Sequence, residues 1–241
     1  DPQIVELVCE RAVSDAEGYV REAAVKAVAA GWPEDPQTLT LLRDRAVNDL
    51  HWSVRGAAVM AVAAGWPQDP LTLTLLRDRA VNDLGRSVRG AALAALASGW
   101  SKDSQILELV RDRAVNDLGR SVRGAALAAL ASGWPEDSQI LELVRDSAVK
   151  DRDRLVRRAA LEVVASGWPG NPETLELLRD RAISDPDDSV RWSAVDAVAS
   201  GWPEDPQTSA WLRDRAVTDP SRYVRQVALL AANELDVRRE R

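Results

Sequence analysis

The chain has no phenylalanine, one cysteine, one methionine, one histidine and two tyrosines among its 241 residues. The lone cysteine, Cys9, excludes an intrachain disulfide framework and any site built from several thiolates, and it fits a reducing compartment, with the cytoplasm as the default expectation. With His51 as the single histidine, no multi-histidine metal centre can be assembled; no Ser-His-Asp set is found, and His51, distant in the sequence, hardly supplies the base that a Cys9 nucleophile would need. A phosphate-binding loop and a Gly-x-Gly-x-x-Gly turn are absent too, so the sequence offers no visible means of catalysis and calls for no cofactor. No apolar run approaches the roughly 20 residues that a membrane helix requires. A positive charge excess is also missing. The formal net charge is -7, which opposes attraction to phosphate backbones, because nonspecific nucleic-acid affinity comes from counterions released by a basic surface. The chain starts Asp1-Pro2-Gln3 without an initiator Met, a basic stretch or an apolar signal core, the look of a piece excised from a longer protein.

What is present is repetition. Gly-Trp occurs at Gly31-Trp32, Gly65-Trp66, Gly99-Trp100, Gly133-Trp134, Gly167-Trp168 and Gly201-Trp202, with a period of 34 residues. Units 1-30, 31-64, 65-98, 99-132, 133-166, 167-200 and 201-234 follow, then a polar tail at 235-241. A fixed period of this size signals stacked supersecondary units, none able to bury its apolar face alone.

In unit 31-64, Asp35-Pro36 reads as an N-cap followed by proline at the first helical position. Leu39, Leu42, Ala46 and Val47 recur at helical spacing. Asn48-Asp49 breaks the pattern before a second stripe of Val54, Ala57, Ala58 and Ala61. Gly65 is expected as a left-handed cap, with Trp66 as its apolar contact and Pro67 barring continuation. Each unit is thus a helical hairpin, and no segment has the alternation expected of a strand.

Period 34 is shared with tetratricopeptide repeats, whose pattern of Trp, Leu-Gly, Tyr, Ala, Phe and Pro is absent. In every unit an Asp stands before a Val-Arg pair. The acids are Asp15, Asp49, Asp83, Asp117, Asp151, Asp185 and Asp219; the bases are Arg21, Arg55, Arg89, Arg123, Arg157, Arg191 and Arg225. In this the chain resembles the HEAT repeat, in the short form seen in phycobilin-lyase-like proteins. The resemblance implies an all-α, right-handed α-α superhelix, a HEAT-like solenoid of seven helical hairpins, with Asp-Arg ladders joining neighbouring repeats. Seven copies of one pair argue for stacking rather than for an active site, which is a singular constellation. The six repeat tryptophans are expected to pack loop on loop by the same reasoning.

The positions that vary between copies carry the functional signal. Opposite the core stripe of the second helix stand residues equivalent to 52, 56 and 60. The resemblance makes that face concave and a place for partners. Trp52 and Met60 mark one end and Trp192 the other. Gly90 and Gly124 form a shallow floor, and Arg86, Arg120, Arg154 and Arg158 form a basic strip suited to an acidic partner. Successive glycines in helix interiors, each costing roughly 1 kcal/mol against alanine, suggest close approach by something. The leading expectation is a monomeric, non-catalytic scaffold for a protein or an acidic peptide, such as the recognition array of a multidomain signalling protein. Three alternatives stay open. One is a nucleic-acid reader of the kind found among HEAT-like alkylpurine glycosylases; the second is an enzyme of the bilin-lyase type, which only the repeat subtype suggests; the third is a ligand-free or engineered spacer, suggested by the near identity of Arg79-Gly99 and Arg113-Gly133.

Overall fold

Asp35 accepts a hydrogen bond from the Gln37 amide while Pro36 opens the helix behind it. Asp69, Asp103, Asp137 and Asn171 cap the equivalent helices through the same contact, each cap contributing about 0.5–2 kcal/mol. The computed structural model describes residues 2–239, and those residues form fourteen α-helices and no strand.

The described residues form two compact units, divided between Ala129 and Leu130. The first holds α1 (Pro2–Ser14), α2 (Gly18–Gly31), α3 (Pro36–Asn48), α4 (Trp52–Gly65), α5 (Pro70–Asn82), α6 (Arg86–Gly99), α7 (Ser104–Asn116) and most of α8 (Arg120–Gly133). The second holds α9 (Ser138–Lys150), α10 (Arg154–Gly167), α11 (Pro172–Ser184), α12 (Asp188–Gly201), α13 (Thr208–Thr218) and α14 (Arg222–Arg239). Within the first unit α1 pairs with α2, α3 with α4 and α5 with α6, while α2, α4 and α6 pack in series; α10, α12 and α14 do the same within the second.

Three local expectations change. Among the described residues no glycine has positive φ, so Gly65 is not a left-handed cap. It closes α4 as a helical residue, and Trp66 ends the helix at φ -133° and ψ 54° with its amide on the Val62 carbonyl. The Asp69 amide then meets the Trp66 carbonyl at 3.2 Å, and Pro67 cannot prolong the ladder.

The buried arc of α4 is Val54, Ala58, Val59 and Val62, turned toward the larger β-branched side chains; Ala57 and Ala61 are only half-buried. In α3 the inward residues are Thr38, Leu42 and Ala46, and Val47 faces outward. Residues 235–239 of the polar tail continue α14, bury Leu235, and bring Asp236 to the Ser209 hydroxyl at 2.8 Å. The rest of that tail, residues 240–241, and Asp1 lie outside the described residues.

Candidate functional site

The recurring Asp-Arg pairs are structural joints. Arg21 reaches Asp49 of the next repeat through two hydrogen bonds of 2.8 and 2.9 Å, while its third nitrogen donates to the Asp15 carbonyl at 2.7 Å. Arg55 with Asp83, Arg89 with Asp117, Arg157 with Asp185 and Arg191 with Asp219 repeat the bidentate contact. Each aspartate also accepts the amide two residues ahead, as Asp49 does from His51 and Asp117 from Gly119. Burial pushes the Asp49, Asp83 and Asp117 carboxyls up. Hydrogen bonds from their arginines and from those amides outweigh it and hold all three below the ordinary carboxylate value. His51 is exposed and caps α4, its Nδ1 facing the Ser53 amide at 3.3 Å.

The first unit carries a groove of about 830 Å³ across α2, α4 and α6. Its floor is made of small residues, among them Ala29, Ala30, Gly56, Ala57, Ala61 and Ala91. Trp52 and Met60 stand over it, 52% and 47% exposed, with Trp66 at its end. The polar groups on its rim are Glu22 paired with Lys26 at 2.5 Å, Ser53 and Ser87. Of the residues expected to form the site, Trp52 and Met60 therefore share one groove.

Arg86 starts α6 beside that groove, and its stem packs over Gly119, where an added Cβ would lie 3.1 Å from the arginine. Gly90 is buried rather than part of an open floor. A Cβ there would meet the Ala125 Cβ at 3.1 Å, so the close approach anticipated at this glycine is made by α8 itself. On α8, Arg120 is exposed and Gly124 half-buried.

In the second unit Arg158 lies over the Trp192 ring at 5.9 Å, and Trp192 leans on Tyr223 at 6.0 Å, a stack running through α10, α12 and α14. Arg158 is also paired with Glu162 at 3.2 Å, and Arg154 with Asp187 at 3.6 Å. Part of the anticipated basic strip is thus neutralised within the protein. The expected loop packing is seen at Trp168, whose indole N–H donates to the Pro135 carbonyl at 2.8 Å.

Sequence reasoning missed Ala57 and Ala61, which it assigned to the core, and a second ladder. Arg43, Arg77, Arg145 and Arg179 of the first helices reach the capping residues Asp69, Asp103, Asn171 and Asp205 of the next repeat. Its signal was an arginine recurring with the period of the repeat.

Helical hairpins joined repeat to repeat by carboxylate-guanidinium pairs define an α-α solenoid. The chain belongs to the family of HEAT repeats, which it matches over residues 5–97, 107–199 and 141–233. No curated protein matches the sequence. Among solved structures it is similar to the complex of CpcE and CpcF of phycocyanin lyase from Nostoc sp. PCC7120, at 19% identity and a TM-score of 0.51, covering 68% of this chain and 99% of that one. It is also similar to the karyopherin Kap121p bound to the SUMO protease Ulp1p, at 14% identity and a TM-score of 0.65. That match covers 98% of this chain but only 27% of the karyopherin. At these identities the likeness is one of fold.

Proposed function

We propose that this chain is a non-catalytic, cytoplasmic scaffold that holds a protein segment on the face of its second helices, with the α2–α4–α6 groove as the seat. The observation that carries this reading is Trp52 and Met60 standing half exposed over a floor of alanine and glycine. Large rigid or adaptable apolar side chains beside a shallow trough are the anatomy of an anchor site for partner side chains. Arg86 beside the groove favours a segment with carboxylates flanking its apolar anchor. The absence of a catalytic role is supported by the aspartates themselves: their oxygens are committed to guanidinium and amide donors and are buried. Two of the structural neighbours are complexes with protein partners, CpcE with CpcF and Kap121p with Ulp1p. The single cysteine is compatible with a reducing compartment.

The test is a peptide-display library panned on the wild-type chain, with the affinities of the selected peptides then measured on a Trp52→Ala, Met60→Ala variant. Loss of about tenfold or more in affinity, roughly 1.4 kcal/mol, at unchanged melting temperature is expected. Equal affinity for both proteins would move the site elsewhere.

A further inference from the structure

The residue that opens the second helix of a repeat faces the residue just before the second helix of the next. In the second unit these positions satisfy one another: Arg154 lies 3.6 Å from Asp187, and the Ser221 hydroxyl donates to Asp188 at 2.9 Å. In the first unit the facing positions after Trp52 and Arg86 are glycine. A Cβ on Gly85 would stand 3.0 Å from that of Trp52, and one on Gly119 would stand 3.1 Å from the Arg86 stem, so neither residue has a side chain to meet there. Trp52 is left half exposed, and Arg86 is exposed with no hydrogen bond or ion pair among the described residues. An apolar anchor and an unpaired cation thus stand one repeat apart along the groove.

The floor offers a partner's backbone nothing to bond. Gly56, Ala57, Ala61 and Ala91 carry no polar side-chain atom, and they sit inside α4 and α6, where amides and carbonyls are bonded along the helix. On the rim, the Ser53 hydroxyl already meets His51 Nδ1 at 2.8 Å. An extended segment would bury bare N–H and C=O groups against that floor, whereas a helix arrives with its backbone satisfied. Taking the α2–α4–α6 groove as the seat of a protein segment, we propose that its occupant is an amphipathic α-helix with an apolar residue packed on Trp52 and Met60 and an Asp or Glu paired with Arg86. Packed helices lie about 8–10 Å apart, so the step from α4 to α6 equals about two turns of a helix running along the groove, and the acid falls about seven positions from the anchor. In an extended segment the same step would take about three positions.

The probes are peptides selected by display on the wild-type chain. Those that need Trp52 and Met60 are expected to carry an acidic residue about seven positions from their apolar anchor and, when isotope-labelled, to show helical Cα shifts on binding. Proline placed between the two residues should cost about tenfold or more in affinity. Arg86→Glu should weaken binding severalfold at an unchanged melting temperature, because no contact within the protein is lost, and lysine in place of the peptide's acid should restore binding to Arg86→Glu alone. Peptides that need Trp52 and Met60 but tolerate the proline, place the acid about three positions away, or bind Arg86→Glu as well as the wild type overturn the proposal and leave the seat standing. A library that returns no peptide dependent on Trp52 and Met60 overturns the seat, and this inference with it.

Discussion

Asp117 shows what one residue of the ladder does. It accepts both nitrogens of Arg89 from the preceding repeat and the Gly119 amide of its own turn, with its side chain almost wholly buried. Replacing it by alanine strands a guanidinium that is itself only 13% exposed. Asp117→Ala should therefore lower unfolding free energy by about 3–5 kcal/mol at neutral pH. The cost should also depend on pH. A carboxyl held below its ordinary value in the folded state contributes stability that is complete above the unfolded value, about 3.9, and is lost as pH falls through the lower folded value. Urea titrations at pH 7 and below pH 4 should show the gap between wild type and Asp117→Ala closing in acid; a constant gap would mean that the side chain acts by shape alone. This ladder was legible in the sequence because a residue type fixed in every repeat can be assigned to stacking. The second ladder from Arg43, Arg77, Arg145 and Arg179 was not. An arginine on the polar side of a helix looks solvated until the capping residue of the next repeat is placed beside it.

At the scale of the element, the hairpins, their N-terminal caps and their order were legible, and the C-terminal caps and the rotation of each helix were not. The α4 sequence from Trp52 to Gly65 is apolar nearly all round, so periodicity gives little contrast between Ala57 or Ala61 and Val59 or Val62. Packing settles it: the valines fill the interior, and the alanines are left to floor the groove. Val47 was misassigned for a related reason, since apolar character alone does not separate a core position from an exposed one. The helix glycines give a direct check. At Gly56 the nearest atom to an added Cβ is a Val88 methyl at 3.9 Å, so Gly56→Ala should gain about 1 kcal/mol from helix propensity. At Gly90 the same Cβ stands 3.1 Å from that of Ala125, and spreading α6 from α8 should cancel that gain. Melting temperatures should rise for Gly56→Ala and stay level or fall for Gly90→Ala. Equal rises would show that the α6–α8 contact has slack.

For the whole molecule, the period of 34 residues fixed the architecture, because a repeat unit can bury its apolar face only on its neighbours. It could not reveal the partner, since recognition depends on the few positions where copies differ and on surface that no core demands. The same nearest-neighbour logic limits how far damage travels. Asp185 ties the turn after α11 to Arg157 on α10, and Arg191 of α12 returns to the Asp185 carbonyl at 2.9 Å. Asp185→Ala should therefore speed amide hydrogen exchange in α10, α11 and α12 while leaving α2, α4 and α6 at wild-type protection. Uniform acceleration across both units would instead mean that the array opens as one cooperative body, in which case a ligand seated in the α2–α4–α6 groove would raise protection in α12 as well. Local acceleration would mean that the groove can be occupied and vacated with the distant repeats unaffected, which is the behaviour a modular scaffold requires.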